Sequence, residues 1–294
     1  MQSTPLISVV IPTFNRAELL KRSLKSVLSQ TYSNIEVIVV DDNSSDSTVE
    51  TIKGISDPRV RYIRHEERKG GASARNSGIL ASKGEFISFL DSDDTWVPKK
   101  LESQLNFFHQ NKCTNDCILF AKVIMNTGAA KIILPYSNTY DSGQDISDYI
   151  FIHDGLIHTI VLFMKTELAR KIMFKEGLKK HQDYDFVLRA FNMGAGFLLQ
   201  NEILAEWHVE DRSDRMGKKV EYDLSYSWLK SNKHLFSNKA YKGFIKRDII
   251  PQVLLKKFSL RGLLFLMSLV WKGELTIPVF LKTAVKLFVW NPFR

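Results

Sequence analysis

Two acidic residues separated by a serine directly follow a short apolar segment in the first third of the sequence. Asp91 and Asp93 come after the apolar run 86–90. Hard divalent cations such as Mg²⁺ or Mn²⁺ prefer oxygen ligands and usually share them between one or two carboxylates and the phosphates of a substrate. The triplet Asp91-Ser92-Asp93 therefore predicts a site that holds Mg²⁺ or Mn²⁺ against a diphosphate. The alternative is a loop in which the aspartates only build turns and cap a helix.

A second acidic pair follows another apolar segment. Asp41 and Asp42 come after the apolar run 35–40. An acidic side chain at the end of a strand is suited to bind a ribose hydroxyl or the N–H group of a nucleobase. The competing interpretation is that Ser45 or Asp46 caps the next helix, which leaves Asp41 and Asp42 unexplained. The pair therefore favours a nucleotide site beside the metal site.

The alternation of apolar and helical segments predicts the elements that position these side chains. Apolar runs at 6–11, 35–40, 60–63 and 86–90 alternate with segments of helical periodicity. This pattern predicts an α/β fold with a mostly parallel sheet that is covered by helices on both faces. Ligands bind such sheets at the carboxyl ends of the strands, where the strand order switches. The acidic clusters and the polar segment 13–16 are therefore expected to converge.

Local patterns carry three further structural predictions. Asn15 is expected to cap the first helix, with Glu18 as its capping-box partner. Two separate strands are expected at 197–199 and 203–208. The polar segment 210–219 that follows is expected to be mobile.

Cysteine usage argues against a disulfide framework, because the chain has only Cys113 and Cys117. If a helix continued through them, His109, Cys113 and Cys117 would share one face and suggest a zinc site. A structural zinc site needs four ligands, and no fourth one stands nearby in the sequence. We therefore expect these three residues to be structural.

Charge is distributed unevenly along the chain, whose formal net charge is +9. Residues 216–294 contain fifteen Lys and Arg against four Asp and Glu, whereas residues 1–215 are nearly neutral. This predicts one domain over 1–215, with a nucleotide-binding half at 1–110 and a second half at 111–215, and a helical extension over 216–294. The chain does not start with a charged and then apolar signal segment, so its body is expected in the cytoplasm.

The basic extension combines cationic side chains with bulky apolar ones. Its longest uncharged stretch, 262–271, is too short to span a bilayer. Basic amphipathic helices with aromatic anchors such as Trp271 and Trp290 lie in the interface of an anionic membrane, which is the favoured partner. A helical cap on the core or a dimer contact is the alternative. Nucleic acid is not expected, because no recognition motif accompanies the charge.

Four motifs occur in order and carry a family resemblance. They are ISVVIPTFNR at 7–16, VDDNSSD at 40–46, ARNSG at 74–78 and DSDD at 91–94. Together they resemble the ordered motifs of the family 2 glycosyltransferases, over about residues 5–210. The resemblance implies the GT-A fold, in which a Rossmann-like nucleotide half is joined to an acceptor half. It also implies sugar transfer with inversion and a need for Mn²⁺ or Mg²⁺.

The resemblance implies a role for each matching residue. Asp42 would contact the base, which is expected to be uracil, and Arg75 would lie beside the donor. Asp91 would face the ribose or the donor sugar, and Asp93 would ligate the metal. The residues expected to bind the nucleotide sugar are Pro12, Thr13, Phe14, Asn15, Arg16, Asp41, Asp42, Arg75, Asp91 and Ser92. The expected metal ligands are Asp93, Asp91 and His208.

Inversion needs a general base on the acceptor side, which takes the hydroxyl proton during the attack. The segment 181–185, HQDYD, is similar to the family's Glu-Asp motif, with Gln182 in place of the Glu. Asp183 matches the family's base and is expected near the start of a helix. The alternative is a helix cap, a position that favours Asp. Asp185 is expected to be solvated or structural.

The resemblance and the basic extension together imply a function. Family members of this length commonly extend oligosaccharides on a polyprenyl-diphosphate carrier for bacterial surface polysaccharides such as O-antigen or exopolysaccharide. The chain is therefore expected to transfer sugar from a UDP-sugar to a lipid-linked glycan at the inner face of the inner membrane.

Three other functions fit the sequence less well. An NAD-dependent enzyme would need a Gly-x-Gly-x-x-Gly turn after the first strand, and the sequence has Pro12-Thr13-Phe14-Asn15 there. A nucleotidyltransferase would need a glycine-rich basic loop at the same place. A catalytically inactive protein that binds a sugar nucleotide or acts as a membrane scaffold would not need intact Asp91, Asp93 and Asp183.

Overall fold

The first strands of the chain are nearly continuous apolar runs, and the computed structural model places them side by side. The strands β1 (Ile7–Thr13), β2 (Ile35–Asp41), β3 (Val60–Arg64) and β4 (Phe86–Phe89) lie in the order β3-β2-β1-β4. Every neighbouring pair is parallel. All residues of β1, β2 and β4 are buried, as expected for strands that are covered on both faces. Because β2 and β4 flank β1 on opposite sides, the strand order switches at β1.

The structure describes residues 4–135, 139–209, 222–255 and 260–289, which form two compact units. The first unit contains the described residues up to Ile146 and from Asp154 to Val209. The second contains Ser147–His153 and the described residues from Tyr222 onward. The predicted border at 215 and the polar segment 210–219 lie outside the described residues. They stay predictions, as does the division of the first domain at residue 110.

Helices follow the parallel strands: α1 (Ala17–Leu28), α2 (Thr48–Lys53), α3 (Gly71–Ala81) and α4 (Lys100–Gln110). Helix α3 approaches the sheet closely at Gly78. A methyl group on Gly78 would lie 2.9 Å from Cγ2 of Val10 and would overlap its Cγ1. The glycine in the ARNSG motif is therefore required for helix α3 to pack on β1.

The predicted cap of α1 is wrong. Asn15 has a left-handed backbone (φ 50°), and its side chain accepts a hydrogen bond from the Ser45 amide at 2.7 Å instead of capping the helix. The Ala17 amide at the start of α1 donates to the carboxylate of Asp46 at 3.1 Å. Glu18 pairs with Lys21 at 2.6 Å. The side chain of Asn15 joins the segment after β1 to the segment after β2. The carboxylate that caps α1 is instead that of Asp46, in the loop after β2.

The other half of the sheet is mixed. The order continues from β4 as β8 (Phe163–Lys165), β6 (Cys117–Asn126), β9 (Gly196–His208) and β5 (Thr95–Trp96), while β7 (Lys131–Leu134) pairs with β6. Strand β8 is antiparallel to β4 and β6, and β5 is antiparallel to β9. Among the described strands of this half, only β6 and β9 are parallel to each other. The predicted parallel sheet thus describes the β3-β2-β1-β4 half.

Two predicted strands are in fact one. Strand β9 is continuous over 13 residues, and its register against β6 shifts on either side of Lys122. The polar residues 201–202 fall within this irregularity, where β9 has extra residues relative to β6. Such a bulge keeps a strand paired across a polar interruption, which the sequence pattern suggested as a break.

The remaining helices of the first unit are α6 (Thr166–Ile172) and α7 (Gln182–Asn192), and α5 (Ile146–Phe151) begins at its border with the second unit. Helix α4 ends at Gln110, and Cys117 begins β6. His109, Cys113 and Cys117 therefore do not share a helix.

The second unit is helical in its described residues. Its helices are α8 (Tyr222–Ser231), α9 (Asn238–Phe244), α10 (Ile250–Leu255), α11 (Leu260–Trp271) and α12 (Ile277–Val289), with a π-helical turn at Ile245–Ile249. Aromatic rings of Phe151, Trp228, Phe236 and Phe244 pack together with centroids 5.2–5.9 Å apart. Among the described residues, no helix is both long and apolar enough to cross a membrane.

Candidate active site

Polar and aromatic side chains meet after the carboxyl end of β1. Pro12 and Thr13 are buried, and Phe14 is half-buried. The guanidinium carbon of Arg68 lies 4.0 Å from the centre of the Phe14 ring. The hydroxyl of Thr13 has no hydrogen-bond partner among the residues that the structure describes. Arg68 stands outside the four sequence motifs, so the sequence did not point to it.

Asp41 is completely buried at the end of β2. One carboxylate oxygen accepts from the Ser44 amide at 2.9 Å, and the other accepts from the Tyr62 hydroxyl at 2.7 Å. Burial and the Asp41 carboxylate raise the pKa of Tyr62. In the structure Asp41 therefore holds the turn after β2, and its direct contact with a nucleotide stays a prediction.

Asp42 is also buried, and a loop after β3 wraps around its carboxylate. The Lys69 amide donates to Oδ1 at 2.8 Å, and the Gly70 amide donates to Oδ2 at 2.7 Å. Nδ1 of His65 lies 2.8 Å from Oδ1. His65 was not predicted from the sequence, because a single histidine after a weak strand carries no pattern of its own.

Arg75 of α3 joins the two sides of the candidate site. Its Nη2 donates to Asp91 at 2.5 Å, and its Nη1 donates to Oε1 of Gln182 at 3.1 Å. The arginine is only 8% exposed. Burial opposes its charge, but the carboxylates of Asp91 and Asp183 outweigh burial and raise the pKa of Arg75. The guanidinium thus carries positive charge between these two carboxylates.

Asp93 is held by two arginines, one directly before α1 and one in its second turn. Its carboxylate pairs with Arg16 at 2.8 Å, and its carbonyl oxygen accepts from Arg22 at 2.5 Å. The side chain of Asp93 is 17% exposed and that of Asp91 is 25% exposed, whereas Ser92 is buried. The two carboxylates of the triplet therefore remain partly accessible while each contacts an arginine.

The end of β9 lies against the loop after β4. The His208 amide donates to the Asp94 carboxylate at 2.8 Å, and Nε2 of His208 lies 3.1 Å from the Thr95 hydroxyl. In the described part of the chain, no three His, Cys, Asp or Glu side chains gather closely enough to hold a metal by themselves. Two accessible carboxylates still match the protein's usual share of a Mg²⁺ site, in which substrate phosphates and water supply the other oxygens.

Asp183 lies in the first turn of α7 and is half-buried. The residue that precedes the helix is His181, whose backbone is left-handed (φ 64°) and whose pKa is lowered to about 4 by burial and by Lys180. Asp183 is therefore not the cap residue of α7. Asp185 is fully buried and pairs with Arg189 at 2.6 Å, so it is structural rather than solvated.

Asn76, the residue after Arg75, fixes the segment that leads to α7. Its side chain donates to the carbonyl of Phe174 at 2.8 Å and accepts from the Phe174 amide at 2.7 Å. It also donates to Glu176 at 3.0 Å. The ARNSG motif therefore supplies both the arginine at the site and the anchor for the approach to Asp183.

Comparison with known proteins agrees with this arrangement of motifs. Residues 8–170 match the model of glycosyl transferase family 2. The amylovoran biosynthesis glycosyltransferase AmsB of Erwinia amylovora is 33% identical over 250 residues, which cover 80% of this chain and 82% of AmsB. The chain belongs to glycosyl transferase family 2. The family predicted from the four motifs is thus confirmed, and the chain is a glycosyltransferase.

Two further proteins are similar to this family 2 glycosyltransferase, one in sequence and one in structure. The UDP-Glc:alpha-D-GlcNAc-diphosphoundecaprenol beta-1,3-glucosyltransferase WfgD of Escherichia coli is 37% identical over 136 residues, or 46% of this chain and 54% of WfgD. The crystal structure of S. aureus TarS 1–349 in complex with UDP-GlcNAc has a TM-score of 0.70 at 19% identity, and the match covers 90% of this chain and 79% of that one. The predicted GT-A fold is confirmed by this similarity.

Proposed function

We propose that this glycosyltransferase moves a sugar from UDP to a hydroxyl of an oligosaccharide on polyprenyl diphosphate, for a bacterial surface polysaccharide such as O-antigen or exopolysaccharide. The observation that carries the proposal is the position of Arg75, whose guanidinium bonds both Asp91 in the donor motif and Gln182 next to Asp183. Donor-side and acceptor-side motifs meet at this one side chain. That arrangement suits a reaction between two bound substrates.

The donor diphosphate is proposed to bind above the carboxyl ends of β1 and β4. Arg16 and Arg75 contact the carboxylates of the DSDD motif and bring positive charge to this edge. Asp93 and Asp91 would hold Mg²⁺ or Mn²⁺ together with the diphosphate oxygens, and His208 is a nearby candidate for a further ligand. When bound, such an ion stabilises the negative charge that develops on the leaving UDP.

Asp183 is the proposed general base. Its carboxylate takes the proton of the acceptor hydroxyl while the hydroxyl oxygen attacks the anomeric carbon. A new C–O bond forms on one face of the sugar as the bond to UDP breaks on the other, and the electron pair leaves with the diphosphate. The sugar configuration is therefore inverted.

A lipid-linked acceptor is proposed from the surface of the second unit. Helix α11 exposes an apolar stripe of Leu260, Leu264, Met267 and Trp271, and α12 exposes Ile277, Leu281 and Val285. Basic residues such as Lys272 and Lys282 belong to the same region, as expected for helices that lie on an anionic membrane. The name of WfgD specifies a diphosphoundecaprenol acceptor for that relative. The proposed location is therefore the cytoplasmic face of the inner membrane. Trp290, the second predicted aromatic anchor, lies outside the described residues.

A panel of nucleotide sugars tests the donor. The purified protein is incubated with each donor and Mn²⁺ or Mg²⁺, and nucleotide release is recorded with and without EDTA. We expect release from one UDP-sugar and its loss in the presence of the chelator. Release from a GDP- or CDP-sugar alone would overturn the UDP assignment. Absence of both release and metal-dependent UDP binding would favour the inactive scaffold.

A further inference from the structure

A chain of buried hydrogen bonds runs from β2 through the segment after β3 to helix α3. Oδ1 of Asp42 lies 2.8 Å from Nδ1 of His65, and Nε2 of His65 lies 2.9 Å from the hydroxyl of Ser77. The side chains of Asp42 and His65 are 4% and 8% exposed. The backbone of His65 is also fixed, since its amide donates to the Asp41 carbonyl at 2.9 Å. Both ends of the imidazole are therefore held.

The order Asp-His-Ser is that of a hydrolytic triad, but the surroundings do not suit hydrolysis. A nucleophilic serine needs backbone N–H groups that point at the oxyanion of the intermediate. Ser77 lies in the middle of α3, where the backbone N–H groups are used by the helix itself. The chain of bonds is therefore better suited to fix Asp42 than to activate Ser77.

The bonds to Asp42 determine what else its carboxylate can accept. Three donors reach it in the described structure: Nδ1 of His65 and the Lys69 amide at Oδ1, and the Gly70 amide at Oδ2. An ionised carboxylate offers about four acceptor positions. An ionised carboxylate only accepts, so Nδ1 of His65 is the donor in its bond to Asp42. The remaining acceptor position is then on Oδ2, and its direction is set by the three donors.

We infer that His65 is a positioning residue that holds the Asp42 carboxylate so that Oδ2 accepts an N–H group of the donor's nucleobase. This inference rests on the proposed function, in which Asp42 contacts uracil. The N3–H of uracil can donate to a fixed carboxylate oxygen, whereas N3 of cytosine presents a lone pair and is repelled. Sites with a buried polar partner reject ligands that leave it unpaired. His65 therefore supports the choice of base without touching the nucleotide.

Three substitutions of His65 separate positioning from packing. The Nδ2 group of an asparagine at this place is near the position of Nδ1, so His65→Asn can still donate to Asp42. A glutamine instead reaches the position of Nε2, and His65→Ala donates nothing. Binding of UDP and CDP to each variant is measured by calorimetry with the full chain, and thermal unfolding of each variant is recorded alongside.

We expect His65→Asn to bind UDP within about threefold of the wild type, and His65→Gln and His65→Ala to bind about tenfold or more weakly, the range for loss of a hydrogen bond to a charged group. The preference for UDP over CDP falls in the last two variants. The inference would be overturned if His65→Gln kept the wild-type affinity for UDP and the wild-type preference for UDP over CDP. It would also be overturned if all three variants lost UDP affinity equally and in step with their unfolding temperatures. A wild type that transfers sugar from another nucleotide and ignores UDP would overturn the proposed donor itself.

Discussion

At the residue scale, the amide of Gln182 fits its two contacts in a way that a carboxylate does not. Its Oε1 accepts from Arg75 at 3.1 Å, and its Nε2 donates to the Leu178 carbonyl at 2.7 Å. Gln182→Glu would set a second oxygen against that carbonyl and add negative charge beside Asp183. We expect kcat to fall about tenfold or more, since one hydrogen bond is lost and a repulsive contact replaces it.

Steady-state kinetics with the donor and acceptor measure this effect. Asn192→Asp is the matched control, because it makes the same chemical change at the far end of α7, about 15 Å away along the helix. Wild-type kcat in Gln182→Glu would show that the amide is dispensable.

Glu36 on β2 is a second residue with a testable role, because its carboxylate joins the amino end of β1 to the segment before β4. Its carboxylate accepts from Ser8 at 2.6 Å, from the Lys83 amide at 2.5 Å and from Arg61 at 2.7 Å. Burial opposes ionisation, but these hydrogen bonds outweigh it and lower the pKa of Glu36. The stability that follows is present above the unfolded pKa of about 4.3 and is lost as pH falls through the folded value.

Glu36→Gln is therefore expected to lower the free energy of unfolding by about 1.5–3 kcal/mol at pH 7. The difference between wild type and variant narrows as pH falls below about 4.3 toward the lowered folded pKa, because the unfolded chain then binds a proton that the folded carboxylate does not. Urea unfolding at pH values of about 7, 5 and 3, which bracket the unfolded pKa of Glu, measures the difference. A gap that is constant across this range would contradict the assigned role of the charge.

At the element scale, the contact between α3 and β1 sets the position of Arg75. Gly78→Ala would press a methyl group into Val10. Overpacking of a dense core costs about 1–3 kcal/mol, so thermal unfolding is expected at lower temperature and nucleotide affinity is expected to fall as Arg75 shifts. Val10→Ala in the same chain should restore part of the loss. Gly196→Ala is the control, since nothing lies within 4 Å of its added methyl group; equal loss in both variants would refute the packing argument.

The elements differ in how far the sequence predicts them. Strands β1, β2 and β4 are nearly continuous apolar runs and were predicted within a residue or two. Strands that are buried on both faces carry this pattern. The bulged strand β9 was predicted as two strands, since the polar residues 201–202 hide its continuity. Asn15 and Asp46 show the same limit at the site, because the side chain that caps α1 comes from another loop. Such long-range bonds, like that from His65 to Asp42, have no signal in local sequence.

At the scale of the whole molecule, the exposed stripes of α11 and α12 predict reversible binding to anionic membranes. Replacing Leu264 and Met267 by Gln removes two apolar side chains that are 55% and 50% exposed. Burial of each such side chain contributes about 1.5–3 kcal/mol, so partition onto anionic liposomes is expected to fall at least about tenfold. Leu80→Gln is the control, because it removes an even more exposed leucine, on α3. Unchanged sedimentation with liposomes would favour a protein contact instead of a membrane.

The most direct test of the central claim is the rate of sugar transfer to a polyprenyl-diphosphate-linked acceptor by the wild type and by Asp183→Asn. Asp116→Asn serves as the control. This exposed carboxylate directly precedes β6, which runs in the same direction as β4, so it lies at the amino ends of these strands and the candidate site lies at their carboxyl ends. Loss of a general base costs about 10²–10⁴-fold. We expect transfer by the wild type and by the control, and a loss of that size in Asp183→Asn with UDP binding retained. Equal transfer by all three proteins would contradict the assignment of the base and of the site around it.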